Sequence, residues 1–318
     1  MSAPILVIGS FIQDLTFFVE RFPAAGETLL GRFVTGPGGK GSNQAVAAAR
    51  AGAKTAFVGA VGNDSFGDDA ETFLAVEGIE THLLRIPSAA TGTAGITVDA
   101  AGQNQIVVAL GASGSFQSSQ IDMEVFMAAK IVVLQLEIHL QTVVNSLKLA
   151  RDLGKTTILN PAPMNPTLDF SILSNVDIFI PNETEFVSVV QRHPSLANPD
   201  FTEEQLSALS PAQLHALCRK LEVATVIVTL GKRGCFISQQ NQFELVPACT
   251  GITAIDTTGA GDAFVGGFAA GLMEFEGDVV RAVHRGNVVA GLSVTKHGTA
   301  PAMPKRAEIE AYLAAQCR

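Results

Sequence analysis

Six short apolar runs, separated by longer amphipathic segments, limit what this chain can fold into: ILVIGSF (5–11), TAFVGAVG (55–62), KIVVLQLE (130–137), TTILNPAP (156–163), DIFIPNETE (177–185) and ATVIVTLGKRG (224–234). Runs this short and rich in β-branched residues suit buried strands, and the segments between them are long enough for crossover helices. The pattern predicts an α/β fold with a central, mostly parallel sheet flanked by helices. Polar residues or glycine follow most runs: Asp14, Asn63 with Asp64, Glu137, Asn160, Asn182 with Glu185, and Gly231. Open α/β sheets bind ligands outside the carboxyl ends of their strands. These residues are therefore expected along one rim.

Two stretches depart from this rhythm. Residues 15–35 and 91–110 alternate apolar and polar residues around glycine turns, as hairpins do, and have no helix to cover them. They predict a small separate β-sheet that acts as a lid over a strand-end cleft and excludes water; an ordinary β extension is the alternative. The α/β body is expected over 1–10, 38–90 and 112–318, and the lid over 11–37 and 91–111. Exposed strand edges invite pairing, so the lid is also the expected contact of a homodimer. Residues 191–212, polar and proline-containing, read as a surface insertion.

At 318 residues with 47% hydrophobic content, the chain has ample material for a core. A formal net charge of −9 gives nucleic acid or an anionic membrane no basic surface to meet, so neither is an expected partner. No apolar run reaches the ~20 residues of a membrane span. The four cysteines, Cys218, Cys235, Cys249 and Cys317, form no CxxC pair, and the six histidines show no metal-ligand spacing. Free thiols in a reducing cytoplasm are expected.

Chemistry concentrates in two glycine-rich stretches. GPGGKG (36–41) formally fits GxGxxG, but residues 56–62 follow it with no acid at the dinucleotide spacing, and Gly41 stands where a P-loop needs Ser or Thr. What remains is a glycine turn presenting Lys40 and Asn43 at the start of an alanine-rich helix. In DTTGAGDAF (256–264), Gly259, Ala260 and Gly261 precede Asp262 and an apolar run. Bare N–H groups at a helix start favour an anion, and Asp262 would sit beside it. The same residues also fit a plain Asp N-cap after a glycine turn.

Taken together, GGKGSNQAVAAARAGAKTAFVGAVGNDSFG (38–67) and DTTGAGDAFVGGFAAGL (256–272) resemble the two signature regions of the ribokinase-like (PfkB) carbohydrate kinases, and PNETE (181–185) and TLGKRG (229–234) fall in the family order. The resemblance covers essentially the whole chain, and Lys40 sets it nearer the ribokinase branch than fructokinases or adenosine kinases. It implies transfer of the γ-phosphate of ATP to the terminal 5-hydroxyl of a pentose. Asp262 would be the base, and Gly259, Ala260 and Gly261 the anion hole. Asp14, Gly39, Lys40, Asn43 and Glu137 resemble the sugar contacts. Asn182 and Glu185 resemble the group that organises Mg²⁺ and phosphates; Thr229, Gly231 and Gly234 the nucleotide loop; and Asn287 part of the adenine pocket. Asp256, with Thr258 and backbone at 295–298 including Gly298, resembles a K⁺ site, where an inward Lys296 could replace the ion.

One position departs from the family. Ile12 stands where ribokinases usually carry an asparagine that binds sugar hydroxyls, while Gln13 would point to the opposite face of a strand. An unpaired hydroxyl costs about 1–3 kcal/mol. Ribose remains the first expectation, with 2-deoxyribose or another sugar or nucleoside as the alternative. A sugar- or nucleotide-binding regulator without catalysis is a reading of another class, and the intact GAGD speaks against it.

Overall fold

The computed structural model describes residues 4–316; Cys317 lies outside them. In chain order the strands are β1 Ile5–Ile8, β2 Ile12–Phe18, β3 Arg32–Gly38, β4 Thr55–Val61, β5 Glu80–Arg85, β6 Gly92–Val98, β7 Asn104–Ala109, β8 Ile131–Leu134, β9 Thr156–Leu159, β10 Ile178–Phe179, β11 Thr225–Thr229, β12 Cys235–Gln239 and β13 Gln242–Val246. The helices are α1 Lys40–Arg50, α2 Ser65–Val76, α3 Met123–Ala128, α4 Leu140–Asp152, α5 Glu183–Arg192, α6 Glu203–Ala208, α7 Pro211–Arg219, α8 Ala260–Glu274, α9 Val279–Ser293 and α10 Arg306–Gln316.

A nine-stranded sheet runs in the order β13-β12-β11-β10-β9-β8-β1-β4-β5. From β11 to β5 it is parallel, as the apolar runs predict; the β12–β13 hairpin adds an antiparallel end. All four residues of β1 are buried. Leu6 and Ile8 enter one core cluster while Ile5 and Val7 enter the other, because successive side chains leave a strand on opposite faces. Two apolar layers therefore clamp the sheet, and each fully buried Ile, Leu or Phe contributes about 1.5–3 kcal/mol.

The packing of α1 on α8 positions the chemistry. At Gly266 an added Cβ would lie 2.5 Å from Ala47 Cβ and 2.4 Å from the Gln44 carbonyl oxygen, so the two helices touch through bare backbone. Only small residues permit that approach, and it brings the start of α1 against the start of α8.

The second sheet has the order β3-β2-β6-β7, with β2 parallel to β6 and the other pairs antiparallel. It is the small lid sheet. The 91–110 stretch forms a hairpin as expected. The 15–35 stretch differs: its strands extend to Ile12 and Gly38, residues 19–31 join them, and β2 gains β6 as a second neighbour. Residues 191–212 also do more than cover the surface. Phe201 and Leu206 are 6% and 3% exposed and belong to the core, held by capping boxes at Thr202 and Ser210.

Candidate active site

Asp262 occupies the third position of α8 and is 6% exposed. The cap is Gly259, whose φ of 77° is the left-handed conformation that glycine adopts without strain. The N-cap alternative for Asp262 therefore falls: its carboxylate is free to act elsewhere. Asn43 Nδ2 donates to its Oδ2 and Gln44 Nε2 to its Oδ1, each at 2.9 Å. A Cβ built on Gly261 would meet nothing within 4 Å, so the protein's own packing does not demand glycine there. What a side chain would fill is cleft. The cleft measures about 150 Å³ and is lined by Gly259, Ala260, Gly261 and Asp262 together with Lys40, Asn182, Glu185 and Thr229. A hollow of about 810 Å³ lies at the opposite ends of the strands, around Lys130, Arg151 and Asp177, and none of the expected site residues lines it.

Around the start of α1, Glu137 Oε2 accepts from Ser10 Oγ at 2.5 Å and from the Lys40 backbone N–H at 2.8 Å. Gly39 caps α1 and turns the chain so that this N–H reaches Glu137. Asp14 comes from the lid strand β2, with Thr299 Oγ1 donating at 3.4 Å. Burial pushes the Asp14 carboxyl up to about 6; the Thr299 contact opposes this, while the charges of Glu137 and Asp262 add to it. Lys40 is pulled down by burial, yet Asp262, Glu137 and Glu185 outweigh that and hold its pKa above the usual lysine value. Three carboxylates, Asp262, Glu137 and Glu185, thus share the field of one lysine. Such a site favours hydroxyl donors and cations. Ile12 is 2% exposed and shares the Asp14 face of β2, with its Cδ1 over Gly92, whereas Gln13 turns to the other face and donates to Thr35.

Asn182 and Glu185 form a reciprocal capping box at the start of α5: Asn182 Oδ1 accepts from the Glu185 N–H at 2.8 Å, and Glu185 Oε2 from the Asn182 N–H at 2.9 Å. Burial raises the Glu185 carboxyl, only partly offset by the Asn182 N–H and by Lys40. Thr229 bridges Asn182. Gly231 and Gly234, at φ 53° and 92°, form the turn closed by Leu230 N–H on the Gly234 carbonyl at 2.8 Å. Asn287 lies deeper, accepting from Cys235 Sγ and donating to the Pro247 carbonyl, both at 3.0 Å. Gly231, Gly234 and Asn287 are outside the cleft lining.

Near the α8 cap, Asp256 accepts from the N–H groups of Thr258 and Gly298 at 2.9 and 3.0 Å. Burial raises its carboxyl, but Gly298 and Thr258 outweigh burial and hold it below the usual range. Lys296 does not fold inward; its Nζ pairs with Glu308 at 2.6 Å on the surface. Among the described residues no group of three or more His, Cys, Asp or Glu side chains is placed to hold a metal.

An anchored acid in the first turn of a glycine-capped helix, close to Lys40, is matched by whole-chain similarity. The profile of the pfkB family carbohydrate kinases matches residues 2–306. The chain belongs to the pfkB carbohydrate kinase family. It is 35% identical to the ribokinase of Haemophilus influenzae, over 98% of this chain and 99% of that protein. It is 36% identical to the deoxyribokinase of Salmonella typhimurium, over 97% and 98%. The solved structure of Arabidopsis thaliana ribokinase complexed with ribose and ATP superposes with a TM-score of 0.84 at 30% identity, covering 98% of this chain and 99% of that one.

Three buried residues bonded to one another or to the acids of this pfkB kinase's site carry little signal in the sequence. Ser10 is a small residue after an ordinary strand. Asn160 reads only as a polar strand end. Gln44 directly follows Asn43, and neighbours on a helix normally face about 100° apart. The only signal for Gln44 would have been the small residues of α8 that let the helices touch.

Proposed function

We propose that this carbohydrate kinase transfers the γ-phosphoryl group of ATP to the 5-hydroxyl of a pentose, with Asp262 as base and the first turn of α8 as anion hole. The observation that carries the reading is the anchoring of both Asp262 oxygens by Asn43 and Gln44 beside the bare backbone of Gly261. Asp262 accepts the proton of the hydroxyl as its oxygen bonds the γ-phosphorus. The bond from that phosphorus to the β–γ bridging oxygen breaks, and its electron pair leaves with ADP. The N–H groups at 259–261 meet the charge on the transferred oxygens. Phosphoryl transfer depends chiefly on such positioning and charge stabilisation.

Asp14, Glu137, Lys40 and Asn43 bind the sugar: the carboxylates accept from hydroxyls, and Lys40 donates. Asn43 Oδ1 is buried without a partner, an acceptor that a ligand hydroxyl would satisfy. Asn182, Thr229 and the Gly231–Gly234 turn hold the nucleotide, with Asn287 supporting the wall behind them. The acidic surplus around Lys40 fits a bound Mg²⁺. Glu185 would hold it through water, and the ion would neutralise the triphosphate. Asp256 and the backbone at Thr258 and Gly298 fit K⁺, which would steady the loop before α8.

Ribose is the first substrate, since the ribokinase relatives align over the whole chain. Ile12 favours a second reading, 2-deoxyribose, because its side chain shares the Asp14 face and offers a 2-hydroxyl no partner. The lid pairs with that of a second copy. Phe17, Phe33 and Val107, at 46%, 51% and 76% exposed, lie on the face opposite Asp14, an apolar surface suited to self-association. The test is ADP release with ribose, 2-deoxyribose, fructose and adenosine. Turnover with a pentose above the others is expected. Binding without turnover for all four would leave the non-catalytic regulator.

A further inference from the structure

Gln44 is 0% exposed and takes no part in the sugar or nucleotide contacts assigned above. It nevertheless sits at the junction of a buried run of amides. The run starts at the Ile180 carbonyl, which can only accept. Asn160 must therefore turn its Nδ2 toward that oxygen, at 2.9 Å, which leaves Asn160 Oδ1 facing Gln44. Gln44 Nε2 donates one hydrogen there, at 3.1 Å, and the other to Asp262 Oδ1, at 2.9 Å. Its Oε1 accepts from Gln135 Nε2 at 2.6 Å. Gln135 Oε1 is left buried without a partner, close enough to Gly9 that an added Cβ would lie 2.2 Å away.

This run has a single polarity. Turning the Gln44 amide over would set its oxygen against both the Asp262 carboxylate and Asn160 Oδ1, and its NH₂ against the NH₂ of Gln135. Buried polar groups tolerate no such mismatch. The donor at Asp262 Oδ1 is thus dictated by a backbone carbonyl just past the end of β10.

We infer that Gln44 is a positioning residue for phosphoryl transfer, acting through Asp262 by fixing the plane of its carboxylate; this rests on the assignment of Asp262 as base. Asn43 alone would tether one oxygen and leave the group free to swing about it. With Gln44 on the other oxygen, rotation is blocked, and each oxygen keeps a lone pair for an incoming hydroxyl. Misplacement of a reacting group by about 1 Å can cost about 100-fold in rate.

The test is Gln44→Met, which keeps the length and apolar stem but removes both donors. The expected result is a fall in kcat of about 10–100-fold, with KM for sugar and ATP within about twofold of the parent. Gln44→Glu, which places an acceptor against Asp262, should fall further. In an Asp262→Ala background, Gln44→Met should leave the residual single-turnover rate unchanged, because its partner is gone. A purely structural role would lower both backgrounds alike and would overturn the inference. So would a parental kcat in Gln44→Met while Asp262→Ala is inactive. Near-normal activity of Asp262→Ala would instead remove the base assignment itself. If the Gln44 variants do not fold, Gln135→Met reports through the same amide. A fall of a few-fold in kcat at constant KM supports the inference, and an unchanged kcat overturns it.

Discussion

Asn43 Nδ2 donates to Asp262 Oδ2 at 2.9 Å, joining positions 219 apart in the chain. The bond fuses two glycine-rich motifs into one site: the acid of α8 is held by an amide from α1, the helix whose first residue, Lys40, donates its N–H to Glu137. Neither motif has the arrangement alone. It exists because α1 and α8 touch through bare backbone at Gly266.

Asp14 should impose a pH dependence. Its carboxyl is pushed up to about 6, and it must be ionised to accept from a sugar hydroxyl. In the pH profile of kcat/KM for the sugar, an acid limb with an apparent pKa near 6 is expected, and it should vanish in the residual activity of Asp14→Asn. The stability effect has the opposite sense. Between the unfolded value of 3.8 and about 6, the folded protein holds more protons, so the charge destabilises it fully above about 6 and less as pH falls. Asp14→Asn should therefore raise Tm at pH near 8, with the gain fading toward pH near 4. A lower Tm for Asp14→Asn at the higher pH would contradict the burial argument.

Ile12 should set the preference between pentoses. Replacing it with asparagine offers a 2-hydroxyl one partner, so Ile12→Asn should move the ratio of kcat/KM for ribose over 2-deoxyribose toward ribose by about tenfold, equivalent to about 1.4 kcal/mol. On the proposed sugar contacts of Asp14 and Lys40, activity should survive. An unmoved ratio would place the preference elsewhere in the lid.

Asp256 should confer a K⁺ effect. Held ionised by Gly298 and Thr258 against burial, it can meet a monovalent cation throughout the neutral range. Rates in KCl should exceed those in equimolar NaCl or Tris, and Asp256→Ala should abolish the difference. Equal rates in all three for the parent would count against the site.

The lid should dimerise the protein. Sedimentation at assay concentration should give twice the chain mass, and Phe17→Glu with Val107→Glu should give monomers. A monomeric parent protein would refute the lid contact.

The parallel sheet was legible because both its faces are covered, which makes its strands continuous apolar runs rather than alternating ones. β5 was missed: ETHLLR carries polar residues and packs at the edge, so it lacks that mark. That Lys40, Asn43 and Asp262 stand at two helix starts was legible from the glycines before each helix. The bonds of Gln44, Ser10 and Asn160 were not, since they arise from which helices and strands meet. Asp64 illustrates the same limit. A polar strand end in the sequence, it caps α2 and also accepts from the N–H and Oγ1 of Thr91, at 2.8 and 2.6 Å, where the chain enters the lid.

The rate of Asp262→Ala is the most direct measurement of the mechanism, taken with ribose and ATP on protein shown to bind both. Removal of the acid leaves the hydroxyl without its acceptor, and turnover should fall by about 100-fold or more while sugar and nucleotide affinities stay within a few-fold of the parent. Near-parental turnover in pure Asp262→Ala would contradict the account, because no other group at the start of α8 could then be assigned the proton.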